Sequence, residues 1–496
     1  MQLPKQFLLA KTPRAELPGW RKMEYLDWWL SLAPEVPLIR VRNSSGCDIG
    51  LLLGWVLWRG RLLADGDTVE SSAQKQGLPE EYDEYGGRFI FLFPHNGDLA
   101  AVTDPGGLMS LVYSAERGIA ASTPAAMQLL GELQWDEKIR QAFSGGKREQ
   151  WYSFGATPYA GVQRLMPNHR LTLSDFRSTR FFPLPEGDGL RGNPEIDTQS
   201  VAKSIAQCLR TNVKALVDAG HNVAHLTGGF DSRMVLAASR DFRTKMRFQT
   251  VAVDDPRTRL DCHIAAQIAR EFSLEYRKLP FVPPAEGEIE QWLARTGGCI
   301  EDTVASFCTT ARVYNSYCHE ITGTCGESMR TAYWYSGDEQ KETLSARELM
   351  RRCEFVENEV TENLAKQWLA SLPSGISVGN ALDIAYVELR LGCWAGPSMY
   401  GHDIALPSIS PFNCGRYYKA LLSLPEPLRA QNRLCHLLIQ YLWPELLRFP
   451  INRARGLAKL LFLQQEIRLM LPAELRDHIK RLLHGLRGRD REVLEK

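Results

Sequence analysis

A glycine-rich stretch at 225–233 carries the residues whose types and spacing are best suited to chemistry. It reads His-Leu-Thr-Gly-Gly-Phe-Asp-Ser-Arg. Thr227, the two glycines and Ser232 can direct hydroxyl and backbone N–H groups at an anion, and a following helix would add the positive end of its dipole. Asp231 suits Mg²⁺ better than phosphate, because hard cations prefer carboxylate oxygens. The alternative interpretation is an ordinary strand-to-helix turn, since Gly-Gly is common in turns.

The flanking residues predict the elements that must position this stretch. Apolar residues recur at helical spacing over 201–216, and 222–226 reads as a short strand. A second strand is predicted over 247–253 and a helix over 261–272. This order of strand, turn, helix, strand and helix indicates the start of a parallel sheet that binds ligands at its carboxyl edge.

The chain before this sheet is predicted to be mostly β, from about 37 to 183. Two hairpins are expected, because β-rich runs are separated by turn residues such as those at 94–98. The expected strands cover 49–58, 88–93, 99–103, 170–173 and 180–182. A stretch rich in Pro, Gly and charge at 183–194 predicts a linker between two domains, at 1–190 and 195–496.

Composition sets broad limits on the class of protein. A chain of 496 residues is too long for one core and should hold at least two domains. The net charge of +1 gives no general attraction to nucleic acid or membrane. The 11 cysteines form no Cys-x-x-Cys pair, which favours reduced thiols in a cytoplasm over a disulfide framework or zinc site. The most apolar window, at 49–58, is too short to cross a bilayer, so no transmembrane segment is expected.

Several short motifs resemble one protein family when they are taken in chain order. Those of the first half are Gly-Arg-Phe at 87–89, Asp-Pro-Gly-Gly at 104–107, Val-Tyr at 112–113, Ala-Ser-Thr at 121–123 and Gly-Val-Gln-Arg-Leu-Met-Pro at 161–167. Together they resemble the N-terminal domain of asparagine synthetases. The stretch at 227–232 resembles the Ser-Gly-Gly-x-Asp-Ser loop of ATP pyrophosphatases, with Thr227 in place of the first serine.

The resemblance implies a fold and an activity. The fold would be an α+β N-terminal β-sandwich of the glutaminase-like, N-terminal nucleophile type. An α/β parallel-sheet ATP-pyrophosphatase (HUP-like) domain with a helical C-terminal part would follow. With ATP and Mg²⁺, the enzyme would adenylate a carboxylate, release pyrophosphate and transfer the acyl group to an amine or ammonia. The alternative is a degenerate, non-catalytic homologue that binds a nucleotide or a partner protein.

The resemblance leaves the substrate and the assembly state open. A small-molecule or peptide carboxylate is implied, including a precursor peptide or a sugar acid. No nucleic acid partner is expected, and homodimer formation is left open. The family also contains β-lactam synthetases and lasso peptide cyclases, which lack the N-terminal cysteine of the glutamine-using members. The chain resembles that branch most, because it also lacks this cysteine.

A second motif at 321–327 resembles the family's Ser-Gly-x-Gly-Ala-Asp segment. Glu327 stands at the acid, so the resemblance implies that Asp231 and Glu327 share Mg²⁺. Cys325 replaces a glycine, and Thr324 stands where relatives carry Glu or Tyr. Threonine cannot act as a general base at neutral pH. The alternative is a glycine-rich turn with a solvated Glu. The residues implied to bind the nucleotide are Leu226, Thr227, Gly228, Gly229, Asp231, Ser232, Val253 and Gly323.

Three further residues are implied to act in catalysis. Glu301 lies where the family places substrate contacts, although adjacent acids usually sit in solvent. The family's C-terminal Arg-x-Lys matches Arg453 and Arg455, so Arg455 is expected to clamp phosphate oxygens, with Lys459 as the second candidate. A guanidinium keeps its charge but cannot give up a proton as lysine can. The alternative is that Arg455 and Lys459 are surface charges at the start of a helix.

Glutamine hydrolysis is not expected from a protein that begins Met1-Gln2. The family's glutaminase uses an N-terminal cysteine, whereas the first cysteine of this chain is Cys47, in a predicted surface turn with no activating neighbours. The protein starting at Met1 should therefore release no glutamate from glutamine above a buffer blank. Glutamate release that is lost in the Cys47→Ser variant would identify Cys47 as a relocated nucleophile.

Overall fold

The computed structural model describes most of the chain up to residue 453. The described residues are 3–12, 17–71, 74–75, 78–145, 150–184, 197–253, 255–301, 310, 312–314, 318–403, 407–430 and 432–453. Arg455, Lys459 and most of the predicted linker lie outside the described residues, so these predictions stay predictions. We call 3–184 the antiparallel part and 197–453 the parallel part.

The antiparallel part consists of strands with two short helices. Its strands are β1 (Phe7–Ala10), β2 (Arg21–Tyr25), β3 (Trp28–Leu32), β4 (Leu38–Arg42), β5 (Asp48–Trp58), β6 (Arg61–Leu62), β7 (Thr68–Glu70), β8 (Gln74–Lys75), β9 (Leu78–Pro79), β10 (Gly86–His95), β11 (Asp98–Thr103), β12 (Val112–Ser114), β13 (Ile119–Ala121), β14 (Gln163–Arg164), β15 (His169–Thr172) and β16 (Arg177–Arg180). Its helices are α1 (Pro124–Gln128) and α2 (Glu137–Phe143).

Two large sheets share the core of the antiparallel part. One has the order β14-β12-β13-β1-β3-β2, and the other β16-β15-β11-β10-β5-β4-β7 with β6 beside β5. Leu51 and Leu53 of β5 enter the core that also holds residues of β1 and β3, whereas Leu52 and Val56 pack on the opposite face. Because both faces of β5 are covered, this strand reads as a continuous apolar run rather than an alternating one.

The predicted hairpins form, with one shift of boundary. Strands β10 and β11 pair antiparallel across Asn96 and Gly97, whose φ angles of 51° and 81° suit the two-residue turn that matches strand twist. Strand β16 ends at Arg180, so the prediction of a strand at 180–182 was wrong. The turn is shorter than expected because Phe176 adopts a positive φ of 52°, which lets the chain reverse early.

The parallel part alternates strands and helices before becoming mainly helical. Its strands are β17 (Val223–His225), β18 (Arg247–Ala252), β19 (Glu275–Pro280), β20 (Glu320–Ile321) and β21 (Ser408–Ile409). Its α-helices are α3 (Thr198–Asp218), α4 (Phe230–Ala238), α5 (Pro256–Glu271), α6 (Glu288–Thr296), α7 (Ala346–Arg352), α8 (Glu359–Ala370), α9 (Val378–Ala385), α10 (Gly396–His402), α11 (Gly415–Ser423), α12 (Glu426–Arg429) and α13 (Arg433–Leu442). A π-helical stretch, Tyr386–Ala395, joins α9 to α10, and a 3₁₀ turn covers Gly326–Arg330.

The five strands form one parallel sheet in the order β19-β18-β17-β20-β21. This confirms the general class predicted for the chain, antiparallel sheets followed by a parallel sheet with helices. Helix α5 begins five residues before the predicted start at Asp261, because Asp255 caps it by accepting from the N–H groups of Arg257 and Thr258, with Pro256 as its first residue. Within the described residues, no helix is both long and apolar enough to cross a membrane.

Buried polar contacts join the two parts of the chain. Arg88 on β10 binds both oxygens of Asp403, at 2.9 and 3.0 Å, with each side chain only 1% exposed. A second buried pair joins Arg180 to Glu388. The Nδ2 of Asn413 donates to Asp104 in the Asp-Pro-Gly-Gly turn, at 2.6 Å. Because each contact spans the two parts, the position of one part depends on the other.

Removal of the Arg88 charge should destabilise the fold strongly, since Asp403 would remain buried without its counter-ion. We expect Arg88→Met to lower the free energy of unfolding by about 3–5 kcal/mol, measured by urea titration. Arg21→Met is the matched control, because its ion pair with Asp65 is 41% and 53% exposed and should contribute less than about 1 kcal/mol. Equal effects in the two variants would contradict this account.

Candidate functional site

The Gly-Gly loop, which we define as residues 227–232, lies at the carboxyl end of β17. Leu226 is fully buried, and its N–H donates to the carbonyl of Gln249 at 2.8 Å, which fixes the start of the loop against β18. The hydroxyls of Thr227 and Ser232 lie 2.9 Å apart, and Ser232 also accepts from the N–H of Thr227 at 3.0 Å. Helix α4 therefore starts directly at the carboxyl edge of the sheet, as the sequence predicted.

Several loop donors are already engaged inside the protein. The N–H of Gly228 donates to Asp261 on α5 at 2.8 Å, and the N–H of Gly229 donates to the Thr227 hydroxyl at 3.2 Å. These groups were expected to point at an anion, so an anion must displace these internal bonds or bind beside them. Gly229 is the N-cap of α4 and has no side chain to cap the helix. The positive end of the helix dipole is therefore left for a ligand.

A second segment packs directly against the loop. We call 322–331 the Gly323 segment, because it follows β20 and contacts Asp231 through glycines. A Cβ added at Gly323 would lie 3.3 Å from the Cβ of Asp231, and one at Gly326 would lie 3.1 Å from its Oδ1. Larger residues would thus crowd the carboxylate. The structure brings together Asp231 and the predicted motif at 321–327.

Two residues of the Gly323 segment adopt left-handed backbone conformations without being glycine. Cys325 has a φ of 75° and Thr331 a φ of 47°. Such conformations cost about 1–3 kcal/mol each and persist only where the surroundings enforce them. At Cys325, the position where the family pattern has glycine, the chain keeps the glycine-like conformation. The two strained residues enclose the 3₁₀ turn that carries Glu327 and Arg330.

Asp231 and Glu327 are half-buried acids that interact electrostatically, and Arg330 lies beside Asp231. The Nη2 of Arg330 donates to Asp231 Oδ2 at 2.7 Å. Burial raises the pKa of Asp231 to about 8; the Glu327 charge adds to the rise, and Arg330 opposes it. Burial also raises the pKa of Glu327, and Arg330 and Arg390 oppose that rise. Negative charge on these two carboxyl groups is therefore unfavourable in this environment, and a bound cation would lower its free energy.

The remaining oxygens of this pair fit a divalent cation. Asp231 Oδ1 and Glu327 Oε2 are buried and have no hydrogen-bond partner among the residues that the structure describes. Buried carboxylate oxygens without partners are costly unless a ligand satisfies them, and carboxylates are the oxygens that Mg²⁺ prefers. Among the described residues, no group of three or more His, Cys, Asp or Glu side chains could hold a metal. A metal at this position would need its other ligands from the nucleotide and water.

The chain that leads to Arg455 is held against the loop. Arg233, which is fully buried on α4, donates to the carbonyls of Phe449 and Pro450 at 3.0 and 2.9 Å and to that of Gly228 at 3.4 Å. The N–H of Asn452 donates to the Gly228 carbonyl at 2.9 Å. Asn452 is thus in contact with the loop, three residues before Arg455. The role of Arg455 stays a prediction.

The other predicted site residues occupy different positions. Val253 follows β18 and lies at the same carboxyl edge as the loop, because β17 and β18 are parallel. The backbone of Glu301 contacts Gln150 and Trp292, at 3.0 and 3.1 Å, next to the antiparallel part. The hydroxyl of Thr324 lies 2.9 Å from that of Thr322. These placements do not test the catalytic role predicted for Glu301.

Sequence reasoning missed four residues of the site. Asp261 and Asn452 contact the loop backbone, Arg233 holds the 449–452 chain, and Arg330 pairs with Asp231. Arg233 is the last residue of the 225–233 stretch. An arginine directly before the apolar residues 234–238 of a buried helix indicates a buried side chain with hydrogen-bond partners. No local sequence pattern around Asp261, Asn452 or Arg330 predicts their contacts with the loop.

Comparisons with known proteins add no family assignment. The sequence matches no protein-family profile, and the curated proteins contain no significantly similar sequence. The resemblance described above therefore depends on the quoted motifs.

Replacement of Arg233 should release the 449–452 chain from the loop. Arg233→Gln leaves buried carbonyls without their donors, so we expect a loss of at least about 2 kcal/mol in the free energy of unfolding. Hydrogen exchange at Asn452 should also become faster. Arg240→Gln is the control, since its ion pair with Glu445 is 43% and 33% exposed and should contribute less than about 1 kcal/mol. Unchanged exchange at Asn452 in Arg233→Gln would refute the positioning role.

Proposed function

We propose that this protein is an ATP-dependent ligase of the asparagine synthetase type that forms an amide bond. The proposal includes the finer fold and boundaries: a glutaminase-like domain of the N-terminal nucleophile type at 1–190 and an ATP-pyrophosphatase (HUP-like) domain at 195–496. The observation that carries it is the packing of the Gly323 segment on Asp231. Two motifs from distant parts of the sequence meet at one carboxyl edge, where parallel sheets bind ligands.

The residues of the loop have defined roles in this proposal. The hydroxyls of Thr227 and Ser232 and the start of α4 bind the phosphate chain of ATP. Asp231 and Glu327 would hold Mg²⁺, which would supply charge neutralisation. The protein then contributes positioning and electrostatic stabilisation while a substrate carboxylate attacks the α-phosphate and pyrophosphate leaves. An amine or ammonia next attacks the acyl carbon and AMP leaves.

The residues around the loop narrow the chemistry that the site supports. Thr324 bonds to Thr322 and has no basic pKa in the neutral range, so the incoming amine must lose its proton to another group. This difference from the family pattern favours an acyl acceptor other than glutamine-derived ammonia. Amidation of a sugar acid or of a peptide, or internal ring closure, is compatible with the site.

One observation favours a second candidate function, a non-catalytic nucleotide- or partner-binding protein. Asp261 and Thr227 occupy the N–H groups of Gly228 and Gly229, and Arg330 occupies one oxygen of Asp231. A site that had lost its ligand would keep such internal bonds. The two candidates differ in substrate-dependent pyrophosphate release, which only the ligase produces.

Asp231→Asn tests the nucleotide site. We expect its ATP affinity in Mg²⁺, measured by calorimetry, to fall by about tenfold or more, because loss of an outer-shell partner already costs about 10–100-fold in metal affinity. The fold should persist, since Asn is isosteric and removes a buried charge. Asp241→Asn, at an exposed ion pair with Arg210, is the control that should bind ATP normally. Equal ATP affinity in wild type and Asp231→Asn would remove the metal role.

A further inference from the structure

We propose that Arg330 is a protein-supplied cation for the phosphate chain of the nucleotide. This inference rests on the function proposed above. It predicts that nucleotide binding at the Gly-Gly loop retains a component that does not require metal, and that this component depends on Arg330.

The position of Arg330 supports this role. Its guanidinium donates a hydrogen bond to Asp231 at 2.7 Å, and its side chain remains 29% exposed. Within the described ranges, its buried Nε has no hydrogen-bond partner. A guanidinium has five N–H donors in a planar fork that matches phosphate oxygens. Arg330 therefore has donors to offer a ligand at the loop while it still contacts the acid.

The charges around the loop also favour an added cation. Asp231 and Glu327 place two carboxylates beside a loop that is proposed to receive a phosphate chain, which would be repelled by both. Arg330 is in direct contact with Asp231, at 2.7 Å. A phosphate chain can approach only where this negative charge is offset, and a cation fixed in the protein offsets it before any metal arrives.

The backbone around Arg330 holds the side chain in place. Arg330 ends the 3₁₀ turn that lies between the left-handed residues Cys325 and Thr331. The same turn carries Glu327, and Gly326 contacts Asp231. Strain of this kind persists only where the surroundings enforce it, and it is concentrated at ligand sites. The guanidinium is thus preorganised, which favours electrostatic binding without a reorganisation cost.

The test compares ATP affinity in excess Mg²⁺ and in EDTA for wild type, Arg330→Gln and Arg330→Lys, by calorimetry. In EDTA we expect Arg330→Gln to bind ATP about 10–100-fold more weakly than wild type, the usual effect of losing a charged hydrogen bond. In Mg²⁺ the loss should be smaller, because the metal compensates in part. Arg330→Lys should recover part of the EDTA affinity as a point charge. Arg247→Gln is the control, because its ion pair with Glu275, 26% and 56% exposed, lies at the opposite edge of the same sheet.

The outcomes separate this inference from the proposed function. Wild type that fails to bind ATP in Mg²⁺ overturns both. Wild type that binds, together with an Arg330→Gln variant of equal affinity in EDTA, overturns only the role of Arg330. An equal loss in Mg²⁺ and in EDTA with no recovery in Arg330→Lys would assign Arg330 a structural role and also overturn the inference. Thermal unfolding of each variant shows whether the fold is kept.

Discussion

The contact between the Gly323 segment and Asp231 is the constraint on which the rest of the site depends. Because Gly323 and Gly326 lack side chains, the segment after β20 packs closely against Asp231 at the start of α4, and the same segment carries Glu327. Buried like charges are unfavourable, so this arrangement persists only with a compensating cation. Arg330 supplies one in the free protein. Cys325 and Thr331, which flank the turn that carries Glu327, adopt left-handed backbone conformations.

The surrounding fold keeps this contact in register. Parallel strands β17 and β20 are neighbours in the sheet, so the segments that follow them leave the same edge. Arg233 holds the 449–452 chain on the loop from the other side. The antiparallel part adds rigidity through the Arg88–Asp403 and Arg180–Glu388 pairs. The loop is therefore supported by buried interactions on several sides, which suits a site that must hold charged groups at fixed positions.

Local patterns in the sequence predicted the local parts of this structure. Helix α3, strand β17 and the β10–β11 hairpin follow from helical spacing, an apolar run and an Asn-Gly turn, which are features of neighbouring residues. The start of α5 was missed although Asp255 and Pro256 are a readable cap. The Arg330–Asp231 pair spans 99 residues and the Arg88–Asp403 pair 315. Such pairs are set by the tertiary fold, so no spacing rule reveals them.

The proposed nucleotide site lies at the carboxyl edge of the parallel sheet, where Asp231 and Glu327 would hold the metal ion. The most direct measurement is anomalous diffraction from crystals grown with Mn²⁺ and a non-hydrolysable ATP analogue. The account predicts one strong manganese peak within coordination distance of Asp231 and Glu327, with the phosphate chain at the Gly-Gly loop. A nucleotide bound elsewhere, or manganese bound away from both carboxylates, would contradict it.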